Sequence, residues 1–242
     1  MKTRIDQLLV ERGLSESRAK ARSAIEAGRV MADGRVVAKA SELVDEAAVL
    51  AAEPAHPWVG RGGLKLDHAL TLWPVPVEGR VALDIGASTG GFTEVCMARG
   101  ARRVFAVDVG RGQLHARLRG DPRVANLEGV DARSLDATLI EETPELVVCD
   151  ASFIGLAKVL PAALALAAPG ADLICLVKPQ FEAGPADVGR GGIVRDEAVR
   201  LRALEQVSAW LEGEGWAVMA TADSPITGGD GNHEFLLRAK KR

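Results

Sequence analysis

Leu173-Ile174-Cys175-Leu176-Val177-Lys178-Pro179-Gln180-Phe181-Glu182 is the stretch on which the fold turns. Its apolar half predicts a strand buried on both faces, of the kind found in parallel sheets covered by helices. The strand ends by projecting an amine from its carboxyl end, the edge where open α/β sheets hold their ligands. A strand-end lysine more often lays its stem on apolar surface and leaves the amine in water. The other strand ends decide between a solvated charge and a functional one.

Working outward, apolar runs and helical segments alternate. Strands are expected at Val81–Ala87, Val104–Val109, Val124–Val130, Leu146–Asp150, Leu173–Lys178, Trp216–Thr221 and Glu234–Arg238. Helices are expected from Gly90, near His115, over 156–168 and over 196–212. This pattern predicts an α/β fold with a seven-stranded, mostly parallel, Rossmann-like sheet. The link between the last two strands is too short for a crossover helix, so the last strand should run antiparallel.

Residues 1–50 read differently, as two short helices and a small β element. Ile5, Leu8 and Leu9 form one helical face, Ser15 is expected to cap a second helix, and Asp33-Gly34 marks a hairpin turn. The expected division is a small domain over 1–55, a linker over 56–64 marked by Pro54 and Pro57, and the main domain over 65–242.

Net charge is −3, which excludes a global basic field, yet residues 1–39 carry nine Lys or Arg against five acids. Such a basic head points to an anionic partner, and its own alternative is a solvated helix face. Cys96, Cys149 and Cys175 form no CxxC pair and the four histidines no metal-ligand spacing, which suits reduced, structural thiols in a cytoplasmic protein. The most apolar stretch, 160–177, is broken by Pro161, Pro169, Gly170 and Asp172, so no membrane span is expected.

The first strand of the main domain runs into Asp84-Ile85-Gly86-Ala87-Ser88-Thr89-Gly90-Gly91-Phe92. Asp108 ends the second strand, where a carboxylate can accept from ribose hydroxyls. A nicotinamide-dependent oxidoreductase is one reading, but its fingerprint needs glycine where Ser88 stands. Asp84 also disfavours an anionic pyrophosphate, whereas a cation with a nucleoside part suits both carboxylates. S-adenosylmethionine is such a ligand. Asp131, ending the third strand, suits either an adenine contact or a helix cap. The candidate cofactor set is Asp84, Gly86, Ala87, Ser88, Gly90, Gly91, Phe92, Asp108, Val109, Asp131 and Asp150.

Asp150 follows the fourth strand at the same edge as Lys178, Glu234 opens the last strand, and Lys65 precedes the sheet in Gly60-Arg61-Gly62-Gly63-Leu64-Lys65. Converged, they would set two amines and two carboxylates around a transferable methyl. The chemistry expected is deprotonation of a poor nucleophile such as a ribose 2′-hydroxyl, with Lys178 as base. Lysine's ordinary pKa near 10.4 must fall for that role, and burial beside a second cation acts in that direction.

Asp84–Glu94, Ser152-Phe153-Ile154, Val177–Glu182 and Arg61–Lys65 together resemble the TlyA/hemolysin-type family of rRNA 2′-O-methyltransferases. Arg4-Ile5-Asp6, Arg18, Ala19, Ile25, Gly28 and Val30 resemble an S4-type RNA-binding domain. The resemblance implies an FtsJ-like body with a Lys-Asp-Lys-Glu tetrad, which Lys65, Asp150, Lys178 and Glu234 match in order. It implies S-adenosylmethionine as cofactor and a cytidine ribose in ribosomal RNA as substrate, with Arg4, Arg18, Lys20, Arg22 and Arg61 as RNA contacts. The end at Arg238-Ala239-Lys240-Lys241-Arg242 resembles the shorter form of the family, for which 23S rRNA alone is expected rather than 16S as well. The chain has no tyrosine, so base stacking would fall to Trp58, Phe153, Phe181 or arginines. An RNA-binding or membrane-active protein without methyl transfer is the remaining rival.

Overall fold

The computed structural model describes all 242 residues, which divide into two compact units, Met1–Pro57 and Trp58–Arg242. The first unit packs helices Ile5–Glu11 and Arg18–Glu26 over a core of Ile5, Leu8, Leu9, Ala21, Ala24 and Ile25. Ser17, not Ser15, is the N-cap of the second helix: its hydroxyl accepts the Lys20 N–H at 3.3 Å, while Ser15 lies outside and donates to Ser17 O. Val30–Ala32 forms the central strand between Arg35–Val36 and Leu50–Ala52. Asp33 and Gly34 make the expected turn, both at positive φ (49° and 76°). A second ladder, Lys2–Arg4 with Leu43–Asp45, was not expected, because three-residue strands are too short to show a period.

The second unit begins with Trp58 and Val59, inside the segment expected as linker, and Gly62–Leu72 is already helix. The inward stripe Lys65, Leu66, Ala69 and Leu70 carries this helix back into the segment expected as linker. The seven strands are β1 (Val81–Ile85), β2 (Arg103–Asp108), β3 (Val124–Glu128), β4 (Leu146–Cys149), β5 (Asp172–Val177), β6 (Trp216–Asp223) and β7 (Phe235–Lys241). Their spatial order is β6-β7-β5-β4-β1-β2-β3. β1 to β5 pair parallel, and β7 runs antiparallel to both β5 and β6. The sheet therefore has the expected form, with β7 reversed.

Strand alternation sorts side chains onto two layers. Leu83, Ile85, Val147, Cys149, Leu173, Cys175 and Val177 pack on one face, with Leu160, Leu211 and Trp216. Ala82, Ala106, Val148, Ile174, Leu176 and Leu236 pack on the other, beneath the helices Gly62–Leu72 and Gly91–Ala98. Each large aliphatic side chain so buried contributes about 1.5–3 kcal/mol. The three cysteines are buried, and burial pushes all their thiols up, so they serve as core.

Candidate active site

The alternation that builds the second face continues past the strand ends. Two residues after Val148 stands Asp150, two after Leu176 stands Lys178, and two before Leu236 stands Glu234. All three thus project on the face covered by helix Gly62–Leu72, whose inward stripe carries Lys65. A register slip of one residue would send any of them to the opposite layer.

The four side chains meet. Lys65 Nζ lies 2.5 Å from Glu234 Oε2 and 3.6 Å from Asp150 Oδ1. Lys178 Nζ lies 2.8 Å from Asp150 Oδ1 and donates to the Asp150 carbonyl at 3.1 Å and to Ser152 Oγ at 2.8 Å. Lys65, Lys178 and Glu234 are buried, so Lys65 and Glu234 depend on each other and Lys178 on Asp150 and Ser152, since an unpaired charge at this depth is costly. They wall a cavity of about 380 Å³, together with Arg61, Phe92, Phe153 and loop residues 86–89 and 91. Ser152 was not among the expected site residues. Its signal was its place two residues after Asp150, which turns its hydroxyl onto the same amine.

A second cavity, about 470 Å³, shares Gly86, Ser88, Asp150, Ser152 and Phe153 with the first and extends along Asp108, Val109 and Asp131. Gly86 sits at φ 80°, and a Cβ there would strike the Ala151 backbone at 2.9 Å, so the β1 loop lies directly on the end of β4. Asp108 accepts the N–H of Ser88 at 2.8 Å and of Gly110 at 2.7 Å, pinning the loops after β1 and β2. Its oxygens keep lone pairs for hydroxyl donors, as a nucleoside ribose requires. Asp131 accepts the Arg133 N–H as a cap and pairs with its guanidinium, which holds the carboxyl near 2. Asp131 is thus a cap, as one sequence reading expects, and it also lines the cavity. Gly86, Ala87, Ser88, Gly91, Phe92, Val109 and Asp150 also line one or both cavities. A cation bearing a nucleoside fits this wall: carboxylates stand at β2, β3 and β4.

Two expected cofactor residues stand elsewhere. Asp84 is fully buried and lines neither cavity, because alternation along β1 aims it beneath helix Gly91–Ala98. There Oδ2 accepts from Thr93 Oγ1 at 2.6 Å, Oδ1 has no partner, and burial pushes the carboxyl up to about 7. Gly90 also lies behind the lining, packed toward Leu114 and Leu118. Both serve the loop's shape rather than its ligand wall.

Of the expected RNA contacts, Arg61 stands at the cavity wall and donates to Thr227 O at 2.9 Å. Arg4 and Arg18 are committed to Asp6, at 3.0 and 2.9 Å, and Lys20 pairs with Glu16. Arg22 is exposed. Phe153 is the unusual aromatic: it is 90% exposed, lies at φ 67°, and its ring centroid is 5.4 Å from that of Phe181. Left-handed backbone at a bulky residue costs on the order of 1–2 kcal/mol. Trp58 instead packs on the apolar layer under helix Gly62–Leu72.

The sequence profile of the FtsJ-like methyltransferases matches residues 58–241. The chain belongs to that family. The S4 domain profile matches residues 3–50 of this methyltransferase. It is 45% identical over 238 residues to the 16S/23S rRNA (cytidine-2′-O)-methyltransferase TlyA of Mycobacterium tuberculosis, covering 98% of this chain and 89% of that protein. The 23S rRNA (cytidine-2′-O)-methyltransferase TlyA of Campylobacter jejuni is 34% identical over 180 residues, 74% of this chain and 69% of that one. Among solved structures, a protein described as a hemolysin from Streptococcus thermophilus superposes with a TM-score of 0.78 at 40% identity, covering 99% of this methyltransferase and 88% of that chain. No helix of the methyltransferase is long and apolar enough to cross a membrane.

Proposed function

We propose that the methyltransferase uses S-adenosylmethionine to methylate the 2′-hydroxyl of a cytidine in ribosomal RNA, with 23S rRNA as the substrate. The observation that carries this reading is the meeting of Lys65, Asp150, Lys178 and Glu234 at one cavity wall, beside a second cavity suited to a nucleoside cation. The cytidine-2′-O activity named for two relatives supports the substrate class, and the match to an S4 domain supports an RNA partner.

When bound, the cofactor supplies an electrophilic methyl group on a sulfonium. Asp108 would receive its ribose hydroxyls, and Gly86 to Ser88 would let the backbone approach it closely. Lys178 Nζ is placed to take the proton of a ribose 2′-hydroxyl presented at this wall. A proton taken up there is held by three oxygens, Asp150 Oδ1, Asp150 O and Ser152 Oγ. Lys65, itself fixed by Glu234, keeps Asp150 oriented from the other side. Phe153 offers an exposed ring at the cavity mouth for the target base, and positioning of this kind can exceed the base itself in effect. Arg61, Lys20 and Arg22 would hold RNA phosphates.

The test is methyl transfer from labelled S-adenosylmethionine to isolated large and small ribosomal subunits, followed by mapping of the modified nucleotide. The expected product is a 2′-O-methylcytidine in the large-subunit RNA. Label on a base atom, or no label in either subunit, would overturn the reading.

A further inference from the structure

Resting on that reading, we propose that Glu182 is a positioning residue, one of two clamps that together force Phe153 out over the cavity. The loop after β4 runs from Asp150 to the short helix Leu156–Val159. At its start, Lys178 grips the Asp150 carbonyl and Ser152 Oγ. At its end, Glu182 Oε1 accepts the Leu156 N–H at 2.8 Å and so supplies the cap that Gly155, having no side chain, cannot. Both grips come from one turn, Lys178–Glu182, at the carboxyl end of β5.

Between the two grips lie only Phe153, Ile154 and Gly155. A Cβ at position 155 would lie 3.0 Å from Glu182 Oε2 and 3.2 Å from Phe181 O, so the loop rests directly on that turn. The short span leaves residue 153 in the left-handed region and its ring almost wholly exposed, against the side of Phe181. Strain of this kind persists only where the surroundings over-determine it. Glu182 touches neither cavity. Its action is through Phe153, and the catalytic amine and the aromatic are thereby set by a single turn.

The experiment compares Glu182→Gln, Glu182→Ala, Phe153→Ala and the Glu182→Ala/Phe153→Ala double variant of the full chain. Readouts are methyl transfer to ribosomal subunits, S-adenosylmethionine affinity, and amide hydrogen exchange over 152–160. Glu182→Ala should lower kcat/KM for the subunit about tenfold, the size of one lost hydrogen bond to a charged group, with cofactor affinity unchanged. Glu182→Gln should keep near-normal transfer, since an amide oxygen can still accept from Leu156. The double variant should be no worse than Phe153→Ala alone. Exchange at Leu156 should quicken in Glu182→Ala and not in Glu182→Gln. Equal losses for Gln and Ala, additive losses in the double variant, or unchanged exchange at Leu156 would each overturn the clamp. The exchange readout needs no RNA, so it separates failure of the clamp from failure of the methyl-transfer reading, in which the wild-type chain would transfer nothing.

Discussion

Asp6 and Asp150 each stand between two basic side chains, and the exposure of the partners is reversed. Asp6 is 1% exposed beneath Arg4 and Arg18, whose side chains are 38% and 54% exposed. Asp150 is the more exposed member of its cluster, at 18%, between lysines at 8% each. Guanidinium forks keep their protons and pin a buried carboxylate, so the first cluster ties the entry of one helix to the start of the next. Lysine amines can give up a proton, and buried behind a carboxylate that faces a cavity they can exchange it with a ligand. Similar charges thus make a rivet in one unit and, under the proposed function, a reactive wall in the other.

The strongest test of that contrast is removal of one lysine. Lys178→Ala should lower methyl transfer by roughly 10³–10⁴-fold, about 4–5 kcal/mol of barrier, while S-adenosylmethionine binding stays within a few-fold. Single-turnover methylation of ribosomal subunits and calorimetry read the two quantities separately. Wild-type turnover in the variant would remove Lys178 from the chemistry.

The corresponding test of the rivet acts on stability. Asp6→Asn should destabilise the unit Met1–Pro57 by about 2–3 kcal/mol at neutral pH, as charge-assisted bonds to two arginines are lost. The hydrogen bond from Arg4, then that from Arg18, holds the Asp6 carboxyl near 2, below its ordinary value near 4. Its contribution is therefore complete above about pH 4 and is lost as pH falls through about 2. The gap between wild type and variant should close over that interval, followed by hydrogen exchange of residues 5–26 in the full chain. A gap independent of pH would mean that packing, not charge, fixes this turn.

Asp84 tests what happens to a carboxylate given no cation. Burial raises it to about 7, so the folded chain binds a proton there that the unfolded chain has released above about pH 4. Wild-type stability should consequently fall as pH rises from about 4 through about 7, by roughly 3 kcal/mol. Asp84→Asn cannot ionise, and its curve should be flatter over the same interval. Thermal unfolding of both proteins from pH 5 to pH 8 compares the slopes, and parallel curves would show that Asp84 does not titrate in that range.

The central strands of the main sheet were legible because they are apolar runs long enough to outweigh local propensity, as Leu173–Val177 shows. The site was legible as residue types at strand ends, and its geometry was present in the sequence too: Asp150, Lys178 and Glu234 share the parity of Val148, Leu176 and Leu236. That same parity shows Asp84, two residues after Ala82, pointing beneath a helix rather than at the ligand. What sequence could not provide were contacts that depend on loops meeting in space. Ser17 and Ser15 are equivalent as letters, and only the chain's path makes one the cap. Arg4 and Arg18 look like a free basic face until Asp6 is found buried between them. Glu182 is one more charge in a run until the loop after β4 is laid upon it.

The smallest expected effect concerns the cations the rivet leaves over. Arg22 is exposed on helix Arg18–Glu26, and Lys20 is shared with Glu16. If this face holds RNA phosphates, Arg22→Ala should weaken binding to ribosomal RNA by a few-fold and make the slope of log K against log salt shallower by about 0.7–0.9, one phosphate contact. Lys20→Ala should do less, because part of its charge is already answered by Glu16. Arg18→Ala should behave differently from both: it loosens the hold on Asp6, so its effect should appear first as faster amide exchange in residues 5–26. Filter binding at several salt concentrations, with exchange measured on the same proteins, separates the two classes. An unchanged salt slope in Arg22→Ala would make that face a solvated helix surface and leave RNA recognition to other basic side chains such as Arg61.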